Sequence, residues 1–292
     1  MLNPESPLGD RLVDRLGKWR PLEALADAWQ PFVQSTLKGL GSETADLLHG
    51  TPFGHPLHPL LTDIPIGAWT VTALLDAAEL LGRDELQAGA DAALLVGLAG
   101  AGAAAASGWA EWSDTDGAPK NIGMAHASLN ATAVAAYLLS LALRRSGKRG
   151  GGIAVSMFAY ALVAAAGYLG GELSFGLQLG VRHTGEPIDP PKKFVPALDL
   201  AKLSDGTMQR VEVANLALLF YRDGDSVFAI SANCTHRGAP LDEGKLKDGC
   251  VECPWHGSTF RFSDAGIVRG PATFSQPRFE TRVRNGTTEV RA

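Results

Sequence analysis

Two short runs near the C-terminal end of this 292-residue sequence bring thiols and imidazoles together: Cys234-Thr235-His236 and Cys253-Pro254-Trp255-His256. Each run offers one sulfur and one nitrogen ligand from a tight loop, and sixteen residues lie between His236 and Cys253. The sequence holds only 3 cysteines, all between positions 234 and 253. An odd, clustered set makes a poor disulfide framework and points to metal ligation. Zinc accepts two cysteines and two histidines in many structural sites. A Cys-x-His run followed by Cys-x-x-His, with Gly238, Pro240, Pro254 and Gly257 packed around both, is an uncommon way to build one. Cys250 stands outside the pattern and is expected to pack as a small apolar residue at the start of a strand.

On these residues the chain resembles the Rieske [2Fe–2S] family. The likeness extends to Gly238, Pro240, Leu241, Gly257, Ser258 and the pair Gly270-Pro271, and covers about residues 193–292. It implies that Cys234 and Cys253 bind one iron and that His236 and His256 bind the other. Two neutral imidazoles in place of two thiolates remove negative charge from the cluster. The reduced state is thereby favoured, giving a range of about −150 to +300 mV. Two departures from the family pattern bear on the potential. High-potential respiratory members carry an extra cysteine in each loop, joined as a disulfide; those positions here are Ala239 and Trp255. The serine that members of the family place beside the cluster is present as Ser258, but the usual tyrosine two residues on is Phe260. One hydrogen bond to the cluster's surroundings is therefore missing, and a low-potential, ferredoxin-like cluster is expected.

A second polar constellation falls in an apolar setting. Four segments, 60–82, 89–110, 122–143 and 153–176, are rich in Ala, Leu, Gly and Val, and each approaches the roughly 20 residues a spanning helix needs. Small-residue runs such as 97–106 and 164–171 let helix backbones approach closely in lipid. His55, His58 and Asp63 open the first segment, His126 and Asn130 start the third, and Glu172 ends the fourth. In an up-down-up-down bundle these six share one depth. Ionisable groups inside a membrane are costly and raise a functional hypothesis. His58 and His126 could ligate a b-type haem, or the cluster could hydrogen-bond a quinone headgroup and pass its protons. The structural alternative is that these residues tie helices together. The run Gly54-His55-Pro56-Leu57-His58-Pro59 is also similar to the opening of an uncharacterised four-span bacterial membrane family sometimes fused to Rieske domains, a likeness that supplies no activity.

The elements that position both constellations give an α+β multidomain chain, a four-helix transmembrane bundle followed by a small antiparallel β Rieske domain. An amphipathic helical region occupies 1–50, with Leu12, Leu16 and Trp19 on one stripe and Leu22, Leu25, Trp29, Phe32 and Val33 continuing after Pro21. It is expected to lie flat in the headgroup region or to pack on another domain. Glu5, Asp10 and Asp14 precede any long apolar run, so no cleavable signal is expected. The spanning domain covers 51–181, a proline-rich linker 182–193, and the Rieske domain 194–292. In the last, short alternating runs at 209–213, 217–222, 227–231, 259–262, 281–284 and 288–291 are separated by turns such as Asp223-Gly224 and Asn285-Gly286.

A net charge of −5 gives no case for a nucleic-acid partner. Arg83, Arg144, Arg145, Lys148 and Arg149 flank the spans on one side, against Lys120 and Arg182 on the other. The positive-inside rule leans toward the first set in the cytoplasm of a bacterial inner membrane and the cluster outside, while a ferredoxin-like cluster without a protective disulfide suits the cytoplasm, so both sides stay open. The whole reads as a membrane-anchored one-electron carrier with unnamed donor and acceptor proteins and the lipid bilayer as partner. The enzyme reading is a quinol-oxidising unit with its site at His58, His126 and Glu172. A redox sensor or structural subunit is a third. A self-sufficient oxygenase would need a further mononuclear iron domain.

Overall fold

The computed structural model describes residues 8–184 and 191–291. Glu5 and the middle of the proline-rich linker, 185–190, lie outside the described residues. The chain divides into two compact units, and the division is not sequential. The first contains residues up to Leu40 and then Leu57–Leu179; the second contains Gly41–Pro56 and everything from Gly180 onward. The segment 41–56 thus groups with the β domain, across the boundary drawn at 50 from the sequence.

In the first unit, α1 (Leu8–Gly17) and α2 (Arg20–Leu40) precede four long helices. These are α4 (Leu57–Leu80), α5 (Gln87–Ser113), α6 (Gly117–Arg145) and α7 (Arg149–Gly171), and four helical stretches here are long and apolar enough to cross a membrane. Their outward side chains are mostly apolar, with Leu60, Val71, Leu74, Leu138 and Phe158 exposed, as lipid-facing surfaces require. The α2 helix packs on the bundle end through Leu22, Ala26 and Val33 against Trp112 and Met124. Gln30 and Gln34 donate to the carbonyls of Ser113, the last residue of α5, and of Thr115 just beyond it. Trp29 follows the same stripe and stacks on Trp109 of α5, with Phe32 edge-on to Trp29 and 60% exposed. Of the two expectations for this region, the described residues show the packing on the bundle.

The bundle is built from two equivalent hairpins, α4–α5 and α6–α7. Asp76 and Arg144 are 68 residues apart and face each other in a 2.5 Å ion pair. The same spacing relates Trp69 to Tyr137, whose rings stack at 4.3 Å, and His58 to His126, whose rings lie 6.2 Å apart. Each pair joins a residue of the first hairpin to the one 68 positions on in the second. The indole of Trp69 fits only because Gly97 faces it: a Cβ there would lie 2.2 Å from Nε1. Away from the histidines, charges tie all four helices. Arg144 reaches Asp76 and Asp91, and Arg149 reaches Asp91 and Glu79.

The second unit holds α3 (Ser42–His49) and ten strands. One sheet has the order β1-β10-β9-β4-β3-β2 and the other β5-β6-β7-β8, and all pairings are antiparallel. The first comprises β1 (Val195–Asp199), β2 (Met208–Val213), β3 (Leu216–Asp223), β4 (Ser226–Ser231), β9 (Arg278–Arg284) and β10 (Thr287–Arg291). The second comprises β5 (Lys245–Lys247), β6 (Cys250–Glu252), β7 (Thr259–Arg261) and β8 (Ile267–Arg269). In β3 alternate residues serve two cores: Leu219 and Tyr221 pack beneath the cysteine loops, while Leu218 and Phe220 pack with Phe279 and Val290. That period-2 division is what a strand covered on both faces provides.

Candidate functional site

The two cysteine loops repeat one backbone design. Cys234 N–H donates to Ala239 O and Gly238 N–H donates back to Cys234 O, both at 2.8 Å. In the other loop, between β6 and β7, Cys253 N–H donates to Ser258 O at 2.8 Å and Gly257 N–H to Cys253 O at 3.1 Å. Closing so small a loop needs a left-handed residue four places after each cysteine. Gly238 and Gly257 supply it, with φ of 74° and 76°, a conformation that costs glycine little.

The loops bring like ligands together. Cys234 and Cys253 lie innermost, at 0% and 2% exposure, close enough for their sulfurs to share a proton. That shared proton, helped by the amides of Trp255 and His256, draws Cys253 down to about 6. The amides of His236 and Arg237 point at the Cys234 sulfur in the same way, although sharing the proton raises that thiol. The His236 and His256 rings sit further out, half-buried, 5.0 Å apart and at 85°. Burial, then the neighbouring charges of His256 and His49, hold His236 well below the usual imidazole range. Its Nδ1 is buried without a hydrogen-bond partner, an expensive arrangement unless something binds the lone pair.

This donor set fits a two-iron cluster. Among the described residues no three of His, Cys, Asp and Glu gather as one metal ion would need. Cys234 and Cys253 form a sulfur pair, and His236 and His256 form an imidazole pair, the set a two-iron cluster divides between its irons. Ser258 is fully buried, and its Oγ accepts from Ala272 N–H at 2.9 Å, leaving its own proton to donate. Phe260 is fully buried in the same core. Ala239 is buried beside the first loop, whereas Trp255 stands 56% exposed next to His256. Cys250 opens β6 with its sulfur 3.6 Å from Asp248 O, and burial pushes its thiol up.

Residues the sequence did not single out complete the site. The cis Gly270–Pro271 turn behind Ser258 is held by α3 and the residues after it. Asp46 Oδ1 accepts from Gly270 N–H at 2.9 Å, and Thr51 Oγ1 donates to Ala272 O at 3.1 Å. A Cβ at position 270 would lie 2.4 Å from Thr51 Oγ1, so glycine is needed for this strap to close. His49, on the same strap, is held neutral by burial, down to about 4. Thr235 Oγ1 ties the first loop to Phe274 O at 2.6 Å. Nothing local in the sequence around Asp46 or Thr51 signals a partner more than 200 positions away.

Within the bundle, the structure brings His58, His126 and Asn130 to one cavity, joined by Thr62 and Glu111. His55 lies outside α4 in the second unit, its Nδ1 against Pro56 O. Asp63 is exposed on the outer side of α4, and Glu172, in a short π-helical turn after α7, does not line the cavity.

Comparison with known proteins agrees with both halves of the chain. A Rieske [2Fe-2S] domain model matches residues 193–280, and a model described as Predicted membrane protein (DUF2231) matches residues 54–183. Apoptosis-inducing factor 3 of Mus musculus is 32% identical over 111 residues, 37% of this chain and 18% of that protein. The chain thus spans less than a fifth of that relative. Ferredoxin CarAc of Metapseudomonas resinovorans is 36% identical over 89 residues, 30% of this chain and 83% of the ferredoxin. Among solved structures, the ferredoxin of carbazole 1,9a-dioxygenase from Nocardioides aromaticivorans IC177 is 28% identical with a TM-score of 0.32, covering 34% of this chain and 96% of that one. With paired sulfurs, paired imidazoles and a ferredoxin matched over most of its length, the chain belongs to the Rieske [2Fe–2S] family.

Proposed function

We propose that the chain is a membrane-anchored one-electron carrier, with Cys234 and Cys253 on one iron and His236 and His256 on the other. The observation that carries this reading is the buried, partnerless Nδ1 of His236 beside the His256 ring, in a unit whose core holds both Cys234 and Cys253. When bound, a Rieske cluster accepts and returns a single electron. The chain's own groups prepare for that change in charge. Four backbone amides, from His236, Arg237, Trp255 and His256, are aimed at the cysteine sulfurs and favour their thiolate form. Ser258 has a hydroxyl proton to offer the same region. The buried cysteines keep water from the sulfur side, while the half-exposed histidines offer the route by which a partner's electron enters. The matched relatives named as ferredoxins support a carrier that hands electrons to another protein.

A low potential within the Rieske range follows from Phe260, which adds apolar volume where a hydroxyl would donate. Phe260→Tyr is expected to raise the midpoint by about 40 mV, equivalent to one hydrogen bond of about 1 kcal/mol for a one-electron couple. A redox titration followed by EPR at the reduced cluster measures this, and an unchanged or lowered midpoint rejects the role given to Phe260. The carrier reading itself is tested on the purified full-length protein: a Rieske EPR signal after dithionite supports it, and zinc without iron ends it.

The membrane reading rests on four apolar helices and the family match over residues 54–183. In a bacterial inner membrane, Arg83, Arg145 and Lys148 mark the cytoplasmic end, which puts the cluster on the extracytoplasmic face. Arg144 and Arg149 add less to that count than their positions suggest, because both are held by acids of the bundle. A C-terminal alkaline phosphatase fusion is expected to be active; activity only from a cytoplasmic reporter reverses the orientation.

A further inference from the structure

The cavity inside the bundle has a volume of 470 Å³, within the range of about 300–1,000 Å³ usual for cofactor pockets. Its walls are mostly apolar, with Thr62, Glu111, Asn130 and Ser174 the polar exceptions besides the histidines, and its sides are opened by small residues including Ala105, Gly108, Gly167 and Gly170. The hairpin repeat sets an imidazole on each side. His58 of α4 packs edge-on against Gly108 of α5, where a Cβ would lie 2.8 Å from the ring. Its Nδ1 is 2.8 Å from Ala104 O, one helical turn before that glycine. His126 of α6 repeats the arrangement on α7, against Gly170, with Nδ1 2.8 Å from Ala166 O.

A carbonyl oxygen can only accept, so both rings carry their proton on Nδ1 and present a lone pair at Nε2. Asn130 Nδ2 lies 3.1 Å from His126 Nε2, which agrees with that tautomer. A donated Nδ1–H to a backbone carbonyl is also the usual way a metal-bound imidazole is oriented. The ring centres are 6.2 Å apart. Two metal–nitrogen bonds of about 2 Å, with about 1 Å from each nitrogen to its ring centre, require about 6 Å. A quinol bridging the same two nitrogens would need them about 11 Å apart, two hydrogen bonds of about 2.8 Å plus the width of its ring. Two imidazoles complete a metal's coordination only if the metal brings other ligands with it, and an apolar slot suits a flat macrocycle that does.

We infer that the bundle binds one b-type haem between the hairpins, with His58 and His126 as its axial ligands. This site is independent of the iron–sulfur assignment, since it lies wholly within residues 57–179. The rings cross at 86°, so the ferric haem is low-spin with perpendicular imidazole planes. Asn130 swings off Nε2 when iron takes that position.

The test uses the full chain, made in cells supplied with haem precursor and purified in mild detergent. Haem b is counted by pyridine haemochrome, and the cluster by EPR. About one haem per chain is expected in the wild type, in Cys234→Ser and in Asn130→Ala, with at least a tenfold loss in His58→Ala and His126→Ala. Retention in Asn130→Ala shows that the amide resting against His126 Nε2 is not what holds the haem, because that change removes the intrahelical contact and leaves both ligands. If the histidine variants do not fold, the wild-type ferric EPR decides: a single low-field feature from perpendicular imidazoles supports the site, and a high-spin signal overturns it. Absence of haem from a wild-type protein that shows its Rieske signal overturns it as well. So does haem bound equally by wild type and histidine variants, which is an adventitious ligand only, or co-purified quinone in its place.

Discussion

Cys253→Ser will purify without its cluster: non-haem iron falls from about two atoms per chain to none, and the reduced Rieske EPR signal disappears. Cys253 is 2% exposed and sits in the core with Leu219, Val251, Phe260 and Ala272. A serine hydroxyl there keeps its proton at neutral pH and is a poor ligand for iron. Cluster binding is also folding free energy, so the variant's C-terminal unit should melt at a lower temperature than the wild type. Cys234→Ser is expected to behave alike, because the two sulfurs face one another. Cys250→Ser is the control. That thiol is at the start of β6, opposite Arg261 in the sheet, and its loss should leave iron content and EPR unchanged. Full iron retention in Cys253→Ser would reject the ligand assignment, and iron loss in Cys250→Ser would mean the wrong cysteine had been excluded.

Arg144→Met will cost the bundle about 3–5 kcal/mol, the usual penalty for stranding one member of a buried ion pair. The Asp76 and Arg144 side chains are 0% and 1% exposed, 2.5 Å apart. Arg144 also bonds Asp91 at 3.0 Å and Ser140 Oγ at 3.1 Å. Removing it leaves a carboxylate in an apolar interior with neither water nor a counter-charge. The double variant Asp76→Leu with Arg144→Met removes both charges and should recover most of the loss, since apolar replacements of buried pairs are often neutral or stabilising. Thermal unfolding in detergent, read by helical circular dichroism, measures both. A single-variant loss under about 1 kcal/mol would place Arg144 among ordinary surface charges.

What could be read from the sequence depended on how local the signal was. The cysteine loops are local: two thiols and two imidazoles in two short runs, each closed by a glycine four residues after its cysteine. The spans are local in another sense, since length and composition alone mark them. Residues 245–247, 250–252 and 267–269 form strands of three residues, too short for alternation to show. The polar residues of the bundle were grouped by depth, but depth does not give direction around a helix. Asp63 follows His58 by five residues, a rotation of about 140° at 3.6 residues per turn, which turns it outward. His126 and Asn130, four apart, share a face. Arg144 looked like a loop charge because it ends an apolar run, yet α6 extends through Arg145 and carries it inside. The repeat escaped notice because its partners are complementary and not alike: an acid answers a base, and a tryptophan answers a tyrosine. Only the histidines match in type.

Asp46 and Gly270 are 224 residues apart along the chain, and the whole bundle is synthesised between them. At about 5–20 residues per second, roughly ten to forty-five seconds of translation pass before Asp46 can meet its partner. Throughout that interval α3 has left the ribosome with nothing to bind, while four helices are being inserted into lipid. The C-terminal unit therefore cannot be finished from its own end of the message. It closes only when its earliest-made piece has been carried past the insertion of the bundle and returned to the last-made one, and a ribosome that stalls anywhere between releases a chain whose clasp has no catch.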